Sequence, residues 1–130
     1  MSTEPWAPTL PKNFLRPCLL LLLREQPAHG YELLARLRRF GFDGKDPGKL
    51  YRGLRALERE ALVRSAWEAS DAGPDRRIYE LTRAGGEELH RHARSLALTG
   101  DLLATFLSRY EEFVALGDAK RPGAVDALSH

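Results

Sequence analysis

Apolar residues recur along this chain at two spacings, and the change of spacing sorts it into elements. From Phe14 to Gln26 they are nearly continuous, with Leu19 to Leu23 unbroken. A helix that is apolar on most sides has to be covered on most sides, and Pro27 ends it. Ala28-His29-Gly30 then reads as a turn. From Tyr31 to Phe40 the pattern is helical again, with Leu33, Leu34 and Leu37 on the inner face and Arg36, Arg38 and Arg39 outside. Gly41 is the expected C-terminal stop. Phe42 to Lys45 is a loop, and Asp46 to Glu60 (DPGKLYRGLRALERE) predicts a third helix. Asp46 suits the N-cap because its carboxylate can accept from free first-turn N–H groups. Pro47 suits the first helical position, where a missing N–H costs nothing.

Within that third helix, Leu50, Leu54, Leu57 and Ala61 fall within roughly 40° of one line at ~100° per residue. Lys49, Arg52, Arg55 and Arg59 fall roughly 140° to 260° away from it, on the opposite side. Such a helix can dock on a core and turn its charge outward, as a major-groove recognition helix must. Two short helices, a turn and an amphipathic basic helix make a helix-turn-helix pattern.

The spacing then drops to two. In Leu62 to Ala69 (LVRSAWEA), Val63, Ser65 and Trp67 share one face. Ser70 to Asp75 (SDAGPD) is a turn cluster. Arg76 to Leu81 (RRIYEL) is the return strand, with Tyr79 and Leu81 on one side. A hairpin directly after a recognition helix is the wing of a winged helix, whose arginines reach phosphate or the minor groove. Thr82 can cap a last long helix running to about Leu116. Leu89, Leu96, Leu103 and Tyr110 recur every seven residues there, and Phe106 and Phe113 follow two of them by three. This resembles a heptad seam, interrupted by His92 and Thr99 and open to a kink at Gly100. Pairing with a second copy is the economical way to cover it; packing on the chain's own first helix is the other.

The expected architecture is therefore mainly α with a small β-hairpin wing: a winged helix-turn-helix plus a long C-terminal dimerisation helix. Residues 1–13, with Pro5, Pro8 and Pro11, form an extended arm; 14–81 the DNA-binding domain; 82–116 the dimerisation helix; 117–130 a flexible polar tail.

Charge sharpens this picture. The 130 residues carry a formal net charge of only +2. Tyr31 to Arg83, however, holds 12 Lys/Arg against 9 Asp/Glu, a surplus of +3, whereas Ala84 to Ala119 holds 3 against 6, or −3. The cations gather with the candidate recognition helix, and the acidic C-terminal segment is a poor partner for phosphate. The candidate DNA contacts are Lys45, Lys49, Tyr51, Arg52, Arg55, Arg59, Arg76 and Arg77.

Other chemistry is not encouraged. Cys18 is the single cysteine and lies in an apolar run, so it reads as a small buried hydrophobe. The run Pro17 to Leu23 is far short of the ~20 residues that span a bilayer, and it lacks a signal peptide's cleavage site. A reducing bacterial cytoplasm, on the nucleoid, is the expected location. His90 and His92 lie two apart on a helix, a poor metal pair. No phosphate loop, dinucleotide turn or nucleophile–base pair is legible, so no enzyme, metal or cofactor is expected. Trp6, Phe14, Phe106, Tyr110 and Phe113 could line an apolar effector site between subunits, or be plain dimer core.

Four stretches, HGYELLARL (His29 to Leu37), DPGKLYRGLRALERE (Asp46 to Glu60), LVRSAWE (Leu62 to Glu68) and RRIYELTRAG (Arg76 to Gly85), together resemble PadR-type transcriptional regulators. The resemblance covers roughly residues 29–85. It implies a dimeric winged-helix DNA-binding protein, usually a repressor, on an inverted-repeat operator in double-stranded DNA, with the C-terminal helix wrapped against the partner's N-terminal helix. In some members the interface also takes a small aromatic or hydrophobic effector. Two positions depart from the pattern: Arg52 stands where proline is common, and Ala61 where glycine is common before the first wing strand. The opening PKNFLRPCLLLLLRE is similar to a subgroup that includes polyhydroxybutyrate-responsive repressors. The rival expectation is a winged-helix protein-interaction module that never binds DNA.

Overall fold

The structure, a computed structural model, describes residues 9–71, 73, 74 and 76–120. The chain divides into two compact units, residues 1–92 and 93–130. In the first, helix α1 spans Leu15–Glu25, strand β1 Ala28–His29 and helix α2 Gly30–Arg36. A 3-10 turn covers Leu37–Phe40, followed by helix α3 at Pro47–Arg59 and strands β2 at Val63–Glu68 and β3 at Arg76–Leu81. Helix α4, Arg83–Lys120, begins in the first unit and continues through the second.

α1 is buried along most of its length, as its near-continuous leucines require: Leu19 and Leu20 are fully enclosed and only Leu21 is left out. Leu33, Leu50, Leu54, Leu57 and Val63 complete a single core with them. Cys18 lies in that core, where burial pushes its thiol up to about 11. An apolar site disfavours the charged thiolate, so this cysteine is unreactive in the native state.

Two expectations need correction. The turn expected at Ala28-His29 is a strand. β1 pairs antiparallel with β3, Ala28 opposite Tyr79 and His29 opposite Ile78. The sheet order is β1-β3-β2, so β3 is its centre rather than a wing edge. Two residues are too few to display an alternation of period two. Second, the helix expected from Tyr31 to Phe40 tightens into the 3-10 turn after Arg36. The cause is its ending: Gly41 is left-handed (φ 95°) and Phe42 N–H returns to Leu37 O at 3.4 Å. This exit drives Leu37 into the core and turns Phe40 edge-on to Phe14, with ring centroids 6.4 Å apart.

The corner between α3 and the sheet is tied to the start of α4 by Thr82. Its hydroxyl donates to Ala61 O (2.7 Å) and accepts from Gly85 N–H (3.0 Å), the capping expected of it. Ala61 sits in the left-handed region at φ 61°. A non-glycine residue there is costly, which accounts for the glycine that the resemblance leads one to expect at this place. Arg16 of α1 binds both carboxylate oxygens of Glu60 (2.9 and 2.6 Å) and lies 3.6 Å from Glu88 of α4. Its guanidinium holds the Glu60 carboxyl below the usual carboxylate range.

In the second unit α4 continues through Gly100 as one helix. It passes the expected end at Leu116 and is helical as far as Lys120, so residues 117–120 are helical rather than tail; 121–130 fall outside the described residues.

Candidate nucleic-acid interface

Helix α3 is assembled from its ends and its two faces. Asp46 accepts the Lys49 N–H at 3.0 Å and Pro47 opens the first turn, so the cap expected from sequence forms. Leu50, Leu54 and Leu57 are buried, while Lys49, Arg52, Arg55 and Arg59 are all exposed. Among the described residues Arg52 alone of the four forms an ion pair, with the capping Asp46 at 4.0 Å, an exposed and weak pairing. Lys45 is exposed in the loop before the helix, where its N–H donates to Asp43 at 2.9 Å.

Tyr51 behaves differently from the four cations. It is half-buried and leans on the N-terminus of α2. A Cβ added to Gly30 would collide with the Tyr51 ring and hydroxyl, so α2 and α3 close together because residue 30 has no side chain.

β2 and β3 pair in register from Val63 opposite Leu81 to Glu68 opposite Arg76. The two arginines of β3 are not free. Arg76 lies 5.8 Å from the centre of the Tyr31 ring and donates to the Tyr31 hydroxyl at 3.0 Å. Arg77 lies 5.0 Å from the centre of the Trp67 ring and donates to Ser65 Oγ at 2.8 Å. Ser65 in turn donates to Glu58 of α3 at 2.6 Å. A guanidinium held over an aromatic face keeps its charge while losing side-chain freedom, so its direction is set by its supports. The wing therefore takes its cations from β3 and their supports from β2, α2 and α3.

These supports were not legible as a set. Tyr31, Ser65, Trp67 and Glu58 carry no charge pattern that points to DNA, and only the strand register brings them beneath the arginines. A second group missed by sequence reasoning surrounds His29. Its ring contacts Glu32 and Glu68 at 2.9 and 2.8 Å and stacks on Tyr31.

The described residues expected to line an effector site are divided between the two units. Phe14 belongs to the first, stacked on Phe42 at 6.2 Å between centroids and packed on the core. Phe106, Tyr110 and Phe113 belong to the second, where one exposed face of α4 carries them with Leu102 and Arg109. Trp6 falls outside the described residues. Among the described residues no group of three metal-ligating side chains occurs, and no helix is long and apolar enough to cross a membrane.

The family model described as the transcriptional regulator PadR-like family matches residues 19–91. Among solved structures, a PadR-like transcriptional regulator from Bacillus cereus is 29% identical, with a TM-score of 0.66 over 74% of this chain and 93% of its own. A conserved protein of unknown function, described as a potential transcriptional factor, is 31% identical, with a TM-score of 0.68 over 82% of this chain and 99% of its own. A Streptococcus transcriptional regulator is 28% identical, with a TM-score of 0.62 over 71% and 90%. An uncharacterised 37.1 kDa protein of transposon TN4556 from Streptomyces fradiae is 37% identical over 85 residues, 65% of this chain and 24% of that protein. The chain thus spans about a quarter of the length of the curated relative it matches.

Proposed function

The chain belongs to the transcriptional regulator PadR-like family, and on that premise we propose that it is a homodimeric, sequence-specific repressor acting on double-stranded DNA in the bacterial cytoplasm. The family is one of transcriptional regulators and not of enzymes. One observation carries the proposal: α3 buries its leucines and leaves Lys49, Arg52, Arg55 and Arg59 outward, beside a wing whose arginines are already oriented. A module blind to DNA has no use for four cations on one helical face.

In this reading residues 14–81 are the DNA-binding domain and α4, Arg83–Lys120, the dimerisation helix. Lys49, Tyr51 and Arg52, near the start of α3, reach bases or nearby phosphates. Lys45, Arg55, Arg59, Arg76 and Arg77 mainly neutralise phosphate. Two copies would place their recognition helices about one DNA turn apart, roughly 34 Å, on an inverted repeat. The exposed aromatic face of Phe106, Tyr110 and Phe113, with Trp6 and Phe14, would line an effector site for an apolar or aromatic molecule at the dimer seam.

The test is affinity selection from random DNA with the purified protein at two salt concentrations. An enriched inverted repeat is expected. Lys49→Ala or Arg52→Ala should relax the preference at one position of each half-site. Arg76→Ala should weaken all sequences alike and flatten the salt slope by about one unit. Equal losses on selected and random DNA for all three would remove the base-reading roles. No enrichment at either salt concentration would favour the protein-interaction module.

A further inference from the structure

Ser65 of β2 is bonded on both sides, to the wing and to the recognition helix. Its Oγ accepts the Arg77 Nε–H of β3 at 2.8 Å and donates to Glu58 Oε2 of α3 at 2.6 Å. A serine hydroxyl has one proton to give, and a guanidinium can only donate. The order Arg77 to Ser65 to Glu58 is therefore fixed, and each of the two bonds is strengthened by a charged member. Among the described residues no direct ion pair joins Arg77 to Glu58, so the cation is tied to α3 through a neutral group.

Each member is placed by the fold. At ~100° per residue Glu58 falls roughly 80° from Leu50, on the flank between the buried leucines and the outward Arg55 and Arg59. A carboxylate left pointing outward there would repel phosphate, and Ser65 holds it against the sheet instead. Alternation along the strands puts Ser65, Trp67 and Arg77 on the face that also carries the buried Val63 and Tyr79. Trp67 is the cross-strand partner of Arg77, whose guanidinium carbon lies 5.0 Å from the centre of the indole. Arg77 is thus held by one nitrogen and one face. Its two terminal nitrogens make no hydrogen bond among the described residues and are the pair that can grip a phosphate from two points. Arg76 lies on the other face of the sheet and is bonded to Tyr31 of α2 instead.

We propose that Ser65 is a positioning residue for DNA binding: it locks the wing cation Arg77 to the recognition helix, so that wing and helix meet the duplex as one surface. The link rests on the DNA-binding reading for its consequence, but its two hydrogen bonds stand without DNA. Without Ser65 Oγ a long exposed side chain must give up its freedom when it meets the phosphate, and that ordering is subtracted from the affinity. Ser65 acts on Arg77 alone, because Arg76 has a separate support on another element.

A double-mutant cycle separates this from a merely structural role. Affinity is measured for a short random-sequence duplex at low salt, on which wing contacts to phosphate act uniformly. Ser65→Ala should weaken binding about threefold to tenfold in the otherwise wild-type chain, and by about the same factor in an Arg76→Ala background. In an Arg77→Ala background the same substitution should change affinity by no more than about twofold. Ser65→Thr keeps the hydroxyl on a residue suited to a strand and should restore binding. The second readout needs no DNA. In the nitrogen-15 spectrum of the free protein, the Arg77 Nε–H, identified by its loss in Arg77→Ala, should exchange with water more slowly than those of exposed, unbonded arginines. In Ser65→Ala it should exchange as fast as they do. A loss on Ser65→Ala that is equal with and without Arg77 would overturn the link, since it would mark a general structural role. So would no loss at all, or an Arg77 Nε–H signal that Ser65→Ala leaves unchanged. Failure of every protein to bind DNA would instead overturn the DNA reading, with the Nε–H signal still deciding whether Ser65 holds Arg77.

Discussion

Leucine is used in opposite ways in the two units of this chain. In residues 1–92, Leu19, Leu20, Leu33, Leu50 and Leu54 are enclosed by three helices and a three-stranded sheet. In the second unit, Leu98, Leu102, Leu103 and Leu107 are more than half exposed, with Phe106, Tyr110 and Phe113 among them. Residue type does not separate the two sets. What separates them is that the first unit brings several elements to one place, while the described part of the second is a single helix, which has no second layer of its own. A contiguous exposed apolar face of this kind marks an interaction surface. In the proposed homodimer a second copy covers it.

The comparison can be broken most directly in the first core. Leu54→Ala should cost about 2–5 kcal/mol in urea unfolding followed by fluorescence, because the cavity lies where helices and sheet are closely packed. An unchanged midpoint would mean that this core is looser than its burial indicates. Phe106→Glu should act on the second unit alone. Association measured by sedimentation should weaken by about 1–3 kcal/mol, while the α3 cap and the wing keep their exchange protection. A dimer of unaltered affinity would move the seam elsewhere. Two threonines give a finer contrast. Thr82→Ala removes a hydroxyl that both caps α4 and holds Ala61 O, and should cost ~1 kcal/mol in thermal unfolding. Thr105→Ala removes only a bond back to Asp101 O within α4. It should be neutral or gain a few tenths of a kcal/mol from helix propensity. Similar losses at both would show that the second unit is as tightly specified as the first.

Much of this contrast was legible in the sequence, for reasons that also explain the rest. α3 was readable because cap, apolar stripe and cationic face all sit within fifteen consecutive residues. The hairpin was readable because each strand is long enough to alternate. β1 was not, since Ala28 and His29 become a strand only through residues 78 and 79. The 3-10 turn was hidden because Leu33, Leu34 and Leu37 suit either helix, and only the left-handed Gly41 decides. At the candidate site, the cations were named one by one, but their supports were not. Tyr31 under Arg76 and Trp67 under Arg77 depend on sheet register. His29, Glu32 and Glu68 look unremarkable until the fold sets both carboxylates against one ring.

The central place of β3 in the sheet also sets an order in time. β1 leaves the ribosome early, yet both of its residues pair with residues near position 80, after α2, α3 and β2 have been made. Until then Ala28 and His29 have no ladder to join, and β2 has no return strand. Closing such a long loop is a late event whose entropy is offset only once the sheet is complete. Tyr79, buried and opposite both Ala28 and Ser65, is where that closure is registered. Stopped-flow measurements on Tyr79→Phe or Tyr79→Leu should therefore find unfolding accelerated more than folding is slowed. A chain ended before Arg76 should not hold the first unit together, although it would still contain the whole recognition helix.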